Sequence, residues 1–382
     1  MRYRNKGLVL CFAIALNILT GCASGLQSET IIIPSAEPDQ AVDEGSRPFQ
    51  VKTIYRMPES KDPGELLGWS SSESVIGLFY ETEAVDAAKL SLQRFSPPYE
   101  KADHLLEIEM NKLSYQLSPN GKYVSGIAKT EEGVFLQLIA YPGGEVESLE
   151  ATTDANQELW FEEPAWSGNS RFVSYMVMES NKRQSSIGIY DTEAESARVY
   201  RLKGLETEAL PLKVIVSDDG KMALIVLDEY GHGRRIAMGA VNGDTIDVQY
   251  EHEIGADEAA WLNDDQFVFL GTEGTLYVYD RRNHELSILL EKVDSFEFSQ
   301  DRKYVAYSQN GEDTIYAGKL QGKNVLSAEP IYHGVIPSKM YWSPRPSPAA
   351  RERPQKLFQR EGAGCDRTHG STAIYNRIQV KG

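Results

Sequence analysis

The chain has 382 residues, 41% of them hydrophobic, so it is long enough to bury a large core in one or two domains. Its formal net charge is −17; residues 345–382 carry eight Lys/Arg and three Asp/Glu, and residues 1–22 carry three basic residues, which leaves −25 on residues 23–344. An acidic body of this kind repels nucleic acid and anionic lipid head groups, which excludes nucleic acid as a partner.

The N-terminus has the three parts of a secretory signal. Residues 1–6 hold three basic side chains, residues 7–18 are apolar, and residues 19–22 read Leu-Thr-Gly-Cys. The apolar run is too short to span a bilayer, and small residues close it as at a cleavage site. An ordinary signal peptide, in which Cys22 is a coincidence, is the simpler alternative.

The Leu-Thr-Gly-Cys quartet resembles the lipobox of bacterial lipoproteins. The resemblance implies cleavage before Cys22 and diacylglycerol and palmitate chains on this cysteine, and two such chains anchor a protein stably. We therefore expect a signal peptide at residues 1–21, followed at residues 22–48 by the lipidated cysteine and a flexible acidic tether. The protein would lie on the extracytoplasmic face of a bacterial membrane, or at the outer membrane where two membranes exist. Only Cys365 then remains in the body, so no internal disulfide is expected.

A motif recurs along residues 49–344. The residue before a Ser or its equivalent is apolar at positions 69, 117, 166, 216, 261, 298 and 342, with spacings of 48, 49, 50, 45, 37 and 44 residues. The best copies continue as a tight turn: residues 118–121 read Ser-Pro-Asn-Gly and residues 217–220 read Ser-Asp-Asp-Gly. A spacing in this range is typical of repeat proteins.

Each repeat predicts four short antiparallel strands. After the turn comes an alternating strand, then a second recurring strand such as residues 187–191 or 276–280, and then a weaker fourth segment such as residues 286–290. Four strands in about 45 residues are typical of a propeller blade, whereas a β-sandwich, the alternative, needs no such even repetition.

These motifs resemble the TolB-type repeats, also called WD40-like, that occur in secreted bacterial propellers. The resemblance implies an all-β fold, a β-propeller of seven four-stranded blades over residues 49–344. The β-rich residues 49–55 precede the first motif, so we expect them to close the last blade as an N-terminal strand. That last blade is expected to be interrupted or incomplete.

The expectation of an incomplete last blade comes from the seventh motif. Residues 342–344 read Trp-Ser-Pro, but residues 345–354 then supply prolines and basic residues where the other repeats have a turn and a strand. We treat residues 345–382 as an atypical basic, Pro-rich tail that is either frame-shifted or a long insertion. A possible last strand lies at residues 373–380.

The sequence offers no convincing catalytic or metal site. Ser70 lies in Gly-Trp-Ser-Ser-Ser, which lacks the second Gly of a nucleophile elbow. The six histidines show no zinc-ligand spacing, and the Asp pairs in turns do not form a calcium loop. We therefore expect no catalytic residue, no metal and no cofactor.

Two segments are candidate binding patches. Trp160 and Phe161 lie outside the repeat register, so they are either an exposed apolar patch or part of the core. His232, Arg234 and Arg235 lie in a predicted hairpin turn, where they form either a site for an anion or carboxylate or a solvated loop.

The hypothesis for function is a non-catalytic, membrane-anchored scaffold that binds an extracytoplasmic protein or peptide. One alternative is a propeller enzyme, a lyase or a glycoside-active protein, which requires carboxylates or histidines from several blades to converge near the axis. Another is a structural assembly protein of the envelope or spore.

Overall fold

The structure is a computed structural model, and it describes most of residues 50–334 together with a C-terminal strand. The described residues are 50–56, 65–71, 74–81, 89–97, 99, 101–108, 112–130, 133–141, 146–150, 164–179, 184–205, 209–229, 233–334, 340 and 376–381. Cys22, the tether, the Trp342 motif, Cys365 and the segment 345–371 lie outside the described residues, so the predictions made on them stay predictions. In the described part, no helix is long and apolar enough to cross a bilayer.

The described elements are β-strands, with one 3₁₀ turn at Thr272–Gly274. Four sheets contain four consecutive strands each. The first two are β2 (Glu65–Trp69), β3 (Val75–Glu81), β4 (Lys89–Phe95), β5 (Ala102–Ile108), and β6 (Lys112–Leu117), β7 (Tyr123–Thr130), β8 (Gly133–Ala140), β9 (Val146–Glu150). The other two are β18 (Ala259–Asn263), β19 (Gln266–Leu270), β20 (Leu276–Asp280), β21 (Glu285–Leu290), and β22 (Val293–Phe298), β23 (Tyr304–Gln309), β24 (Thr314–Gln321), β25 (Asn324–His333).

A fifth sheet has eight strands. It contains β10 (Ala165–Trp166), β11 (Phe172–Glu179), β12 (Gln184–Asp191), β13 (Ser196–Lys203), β14 (Leu210–Val216), β15 (Met222–Asp228), β16 (Arg234–Asn242) and β17 (Thr245–Ile254). Two antiparallel halves, β10–β13 and β14–β17, are joined where β13 and β17 pair in parallel from Arg201↔Thr245 to Lys203↔Asp247. The sixth sheet has two strands, β1 (Gln50–Arg56) and β26 (Asn376–Lys381).

The prediction of seven four-stranded blades is wrong as a count of sheets. The described residues form four separate four-stranded sheets, because two repeats share the eight-stranded sheet and the seventh motif lies outside the described residues. The all-β class and the propeller-like succession of antiparallel sheets are confirmed. In the sixth sheet, β1 pairs antiparallel with β26, for example Ile54↔Ile378, so the two ends of the repeat region meet in one sheet.

The recurring Ser turns have one shared hydrogen-bond pattern. In each, a buried Ser hydroxyl donates to an Asn or Asp two residues later at 2.7–2.8 Å and accepts from the backbone N–H five residues later at 2.9–3.0 Å. The four serines are Ser118, Ser167, Ser217 and Ser299. The Asn or Asp oxygen also accepts the N–H of the residue two further on, as at Asp219. The Ser and the Asx are therefore required together, which explains their fixed spacing.

Three of the four tryptophans that occupy equivalent repeat positions lie in the core, and the fourth, Trp342, lies outside the described residues. Trp69, Trp166 and Trp261 are all less than 9% exposed. The Trp166 indole N–H donates to Ser125 Oγ on β7, and that of Trp261 donates to the carbonyl of Ile215 on β14, both at 2.9 Å. Each of these two rings thus links its own sheet to a strand of the preceding repeat, because a buried indole N–H needs an acceptor.

Candidate functional site

The Ser turns of successive repeats contact one another. The backbone N–H of Asn120 donates to Ser170 Oγ at 2.9 Å, that of Asn169 donates to Asp218 Oδ1 at 2.8 Å, and that of Asp219 donates to Asp264 Oδ1 at 3.2 Å. Their first strands, β6, β10, β14 and β18, therefore end at one common face, which we call the turn face.

The sixth repeat carries an arginine where other repeats have a smaller residue. The fourth position of each turn has a positive φ: 70° at Gly121, 64° at Ser170, 75° at Gly220 and 56° at Arg302. An arginine in the left-handed region costs about 1 kcal/mol relative to glycine. A long cationic side chain is therefore held in a strained backbone position at the turn face, and such strain is frequent at functional sites.

Arg302 reaches the turns of distant repeats. A Cβ atom added to Gly168 would lie 2.9 Å from a guanidinium nitrogen of Arg302 and 3.1 Å from Asp218 Oδ1. Gly168 is thus small because two charged groups approach it. Gln300, two residues before Arg302 in the same turn, donates from its side-chain amide to the carbonyl of Pro119 at 3.4 Å. The sixth turn therefore contacts the second and third turns directly.

A cleft of about 230 Å³ lies among these turns, which we call the central cleft. Glu297 is the one carboxylate that lines it among the residues the structure describes. The lining residues are Leu67, Gly68, Trp69, Gln116, Leu117, Ser118, Pro119, Gly168, Glu297, Phe298, Gln300 and Arg302. The first strands β2, β6 and β22 thus contribute its wall, and its volume suits one or two amino-acid side chains.

The charges in the central cleft are of both signs. Burial raises the pKa of Glu297 to about 7, and the nearby cations Arg302 and Lys213 lower it in part. Arg302 and Lys213 are half-buried, and both lie close enough to Glu297 to act on its charged form. Asp218, next to Gly168, already accepts the Asn169 N–H. Two cations therefore lie near the one carboxylate that lines the cleft among the described residues.

The raised pKa of Glu297 predicts a pH-dependent stability. The folded protein keeps this proton up to about pH 7, whereas the unfolded chain loses it near the ordinary pKa of 4.5. The stabilising contribution is thus complete below about pH 4.5 and is lost as the pH rises through about 7. We expect urea unfolding to show a free energy that falls over this window in the wild type and falls less steeply in Glu297→Gln. Glu195→Gln, in an exposed turn, is the control, and equal slopes in all three proteins would contradict the assignment.

The sequence-predicted binding residues divide into two groups. Trp160, Phe161 and His232 lie outside the described residues, so the structure leaves these predictions untested. Arg234 and Arg235 begin β16, and both are engaged by carboxylates of the same chain. Arg234 pairs with Asp257, and Arg235 lies 3.3 Å from Glu229 and 3.4 Å from Glu251. They are therefore less available to an external anion than the sequence suggested.

In the described part of the chain, no group of three or more His, Cys, Asp or Glu side chains is placed to hold a metal ion. The hydroxyl of Ser70 donates to the carbonyl of Ser74 at 3.3 Å in a tight turn. This geometry gives Ser70 a structural contact.

The sequence did contain a signal for the central cleft. Glu297 occupies the position before the motif's apolar residue, where three other repeats have Gly68, Ala165 and Ile215. Arg302 occupies the turn position of Gly121 and Gly220. Both residues depart from the repeat pattern in the same copy. A search for residues that differ between the repeats would therefore have found them.

The comparisons with known proteins support the fold alone. No family model and no curated protein matches the chain. Among solved structures, an oligogalacturonate lyase from Vibrio parahaemolyticus is 9% identical, with a TM-score of 0.50 over 76% of this chain and 86% of that one. TolB from Acinetobacter baumannii is 13% identical, with a TM-score of 0.40 over 70% of this chain and 66% of that one. The β-propeller domain of the Trilobed protease from Pyrococcus furiosus is 12% identical, with a TM-score of 0.46 over 73% and 86%.

The chain is therefore an all-β protein with a propeller-like arrangement of sheets. It spans just under two thirds of the TolB chain.

Proposed function

We propose that this protein is a membrane-anchored, extracytoplasmic propeller that binds a protein or peptide partner through the central cleft. The observation that carries the proposal is Arg302, a half-buried cation that lines the cleft from a turn position with a φ of 56°. Lys213 adds a second cation near the same cleft. An acidic side chain or a chain-terminal carboxylate of a partner is the group that this pair attracts.

A binding role fits the cleft better than catalysis does. The enzyme alternative needs acids or histidines from several first strands, whereas Glu297 is the one such group lining the cleft in the described part. The lyase of similar fold, at 9% identity, carries no argument for a shared reaction. The third alternative, a structural assembly role, shares the expectation of a protein partner and differs in requiring a stable envelope complex.

The anchoring part of the proposal rests on residues 1–22. Two acyl chains on Cys22, followed by the acidic tether, would hold the propeller away from the membrane surface. We also propose that β1 and β26 close the ring of sheets, and that residues 345–371 interrupt the last blade.

Fractionation tests the anchor. We expect the wild type in the membrane fraction and Cys22→Ala in the soluble fraction, and a lipid-modified Cys22→Ala protein would contradict the anchor. Resequencing the gene through residues 345–371 tests the frame shift.

Binding of acidic groups by the central cleft is tested with short dye-labelled peptides of alternating Gly and Glu. We expect Arg302→Gln to weaken binding about tenfold, because a charge-assisted hydrogen bond contributes about 1.5–3 kcal/mol and part of it is screened. Arg198→Gln, which removes an equal charge from exposed β13, is the control and should bind as the wild type does. Fluorescence anisotropy gives the dissociation constants. If both variants bind equally, the central cleft is not the site.

A further inference from the structure

A second recess lies at the ends of the sheets opposite to the turn face. It has a volume of about 320 Å³, and its lining residues are Arg235, Glu251, His252, Glu253, Gly271, Thr272 and Tyr277. They come from β16, β17, β20 and the loop between β19 and β20. In antiparallel sheets the β19–β20 connection leaves from the end opposite to the β18–β19 turn, so this recess is separate from the central cleft.

Aromatic rings form one wall of the recess. The His252 ring contacts Tyr277 edge-on at 5.7 Å between centroids and Phe269 at 5.1 Å, and it stacks on Tyr250 at 6.2 Å. Burial lowers the pKa of His252, which favours the uncharged form of the ring. Tyr277 is half-buried and keeps part of its ring at the recess. The wall thus presents uncharged aromatic faces, which attract a cation.

Carboxylates outnumber cations around the same recess. Glu251 is nearly buried, with 7% of its side chain exposed, and Glu253 is exposed. Arg235 is the one cation lining the recess among the described residues, and it lies between Glu229 and Glu251. Two carboxylates thus neutralise the guanidinium of Arg235, and the exposed Glu253 adds a negative charge at the recess within the acidic body.

We propose that this recess binds the side chain of a lysine or arginine in a basic peptide segment of a partner. The carboxylate of Glu253 pairs with the cationic head group, and the ring of Tyr277 contacts the stem and the charge. A neighbouring recess of about 380 Å³ shares Gly271 in its lining and also includes Glu273, Lys292 and Asp294. This second recess gives room for the flanking residues of the peptide.

Dye-labelled peptides of alternating Gly and Lys test this proposal against matched peptides of alternating Gly and Gln, at about 0.15 M salt, where distant charges are screened. We expect the Lys peptide to bind more tightly. Glu253→Gln and Tyr277→Leu should each weaken its binding about threefold, whereas Tyr277→Phe, which keeps the ring, should not. Glu195→Gln removes the same charge elsewhere and should have no effect.

The outcomes separate this site from the central cleft. Arg302→Gln should leave binding of the Lys peptide unchanged, and Glu253→Gln should leave binding of the Glu peptide unchanged. Equal affinity for the Lys and Gln peptides would overturn the proposal. So would an equal loss from Glu253→Gln and Glu195→Gln, because the attraction would then belong to the overall charge of the protein.

Discussion

Replacement of Phe267 by Ala should lower the free energy of unfolding by about 4 kcal/mol. Phe267 is fully buried on β19, in the cluster that joins β14–β17 to β18–β20. Its ring lies 5.3 Å from that of Tyr279, 5.5 Å from that of Trp261 and 6.0 Å from that of Tyr250. Removing it leaves a cavity between two sheets that rigid neighbouring rings cannot fill. Urea unfolding followed by tryptophan fluorescence measures the change.

Phe296→Ala is the matched control for this prediction. Phe296 lies on β22 and is only half-buried, with its ring edge-on to Phe298 at 5.7 Å. Because less of its surface leaves water on folding, we expect its loss to cost about 1–2 kcal/mol. Equal destabilisation by the two variants would show that the Phe267 cluster is not a rigid core between the sheets.

Gly188→Ala should destabilise the protein by about 3 kcal/mol. Overpacking in a core costs about 1–3 kcal/mol, and we expect the upper end because the added methyl group would collide with a buried ring. Gly188 on β12 pairs with Tyr175 on β11. A Cβ atom on Gly188 would lie 2.1 Å from the Tyr175 ring, which is only 2% exposed. The ring therefore covers the glycine. Thermal or urea unfolding gives the size of the loss.

A double variant distinguishes this clash from a general effect of alanine in a strand. In a Tyr175→Val background the ring is absent, so Gly188→Ala should cost less than about 1 kcal/mol further. Additive losses in the two backgrounds would mean that the ring does not set the cost. Tyr115 covers Gly126 in the same way, and a Cβ atom added to Gly126 would lie 2.5 Å from the ring. The packing of a tyrosine ring on a cross-strand glycine therefore recurs in the repeats.

Local features of this fold were predictable because they depend on neighbours in sequence. The strand predicted at residues 276–280 is β20. The strand predicted at residues 187–191 is the C-terminal part of β12 and ends at the same residue. The spacing from Ser217 to Asp219 specifies a turn that satisfies its own polar groups, and this holds in any sheet. The strand expected at residues 373–380 is observed at Asn376–Lys381, where it pairs with β1.

Features that depend on distant contacts were not predictable from the repeat pattern. The parallel pairing of β13 with β17 covers only three residue pairs, from Arg201 to Lys203 on β13, and no periodicity encodes it. The central cleft depends on which repeats meet across the turn face, so Arg302 and Gly168 acquire a role only when the sheets are assembled. Arg235 looked available for an anion because its partners Glu229 and Glu251 are brought to it by folding.

Site-specific photocrosslinking in the membrane-anchored protein tests the central claim most directly. A photoreactive residue in place of Gln300, at the central cleft, is compared with one in place of Arg198 on the exposed strand β13. We expect a discrete protein or peptide adduct from position 300 that is absent from position 198 and is lost when Arg302→Glu is added. An adduct that forms equally at both positions, or that persists with Arg302→Glu, would contradict partner binding at the central cleft.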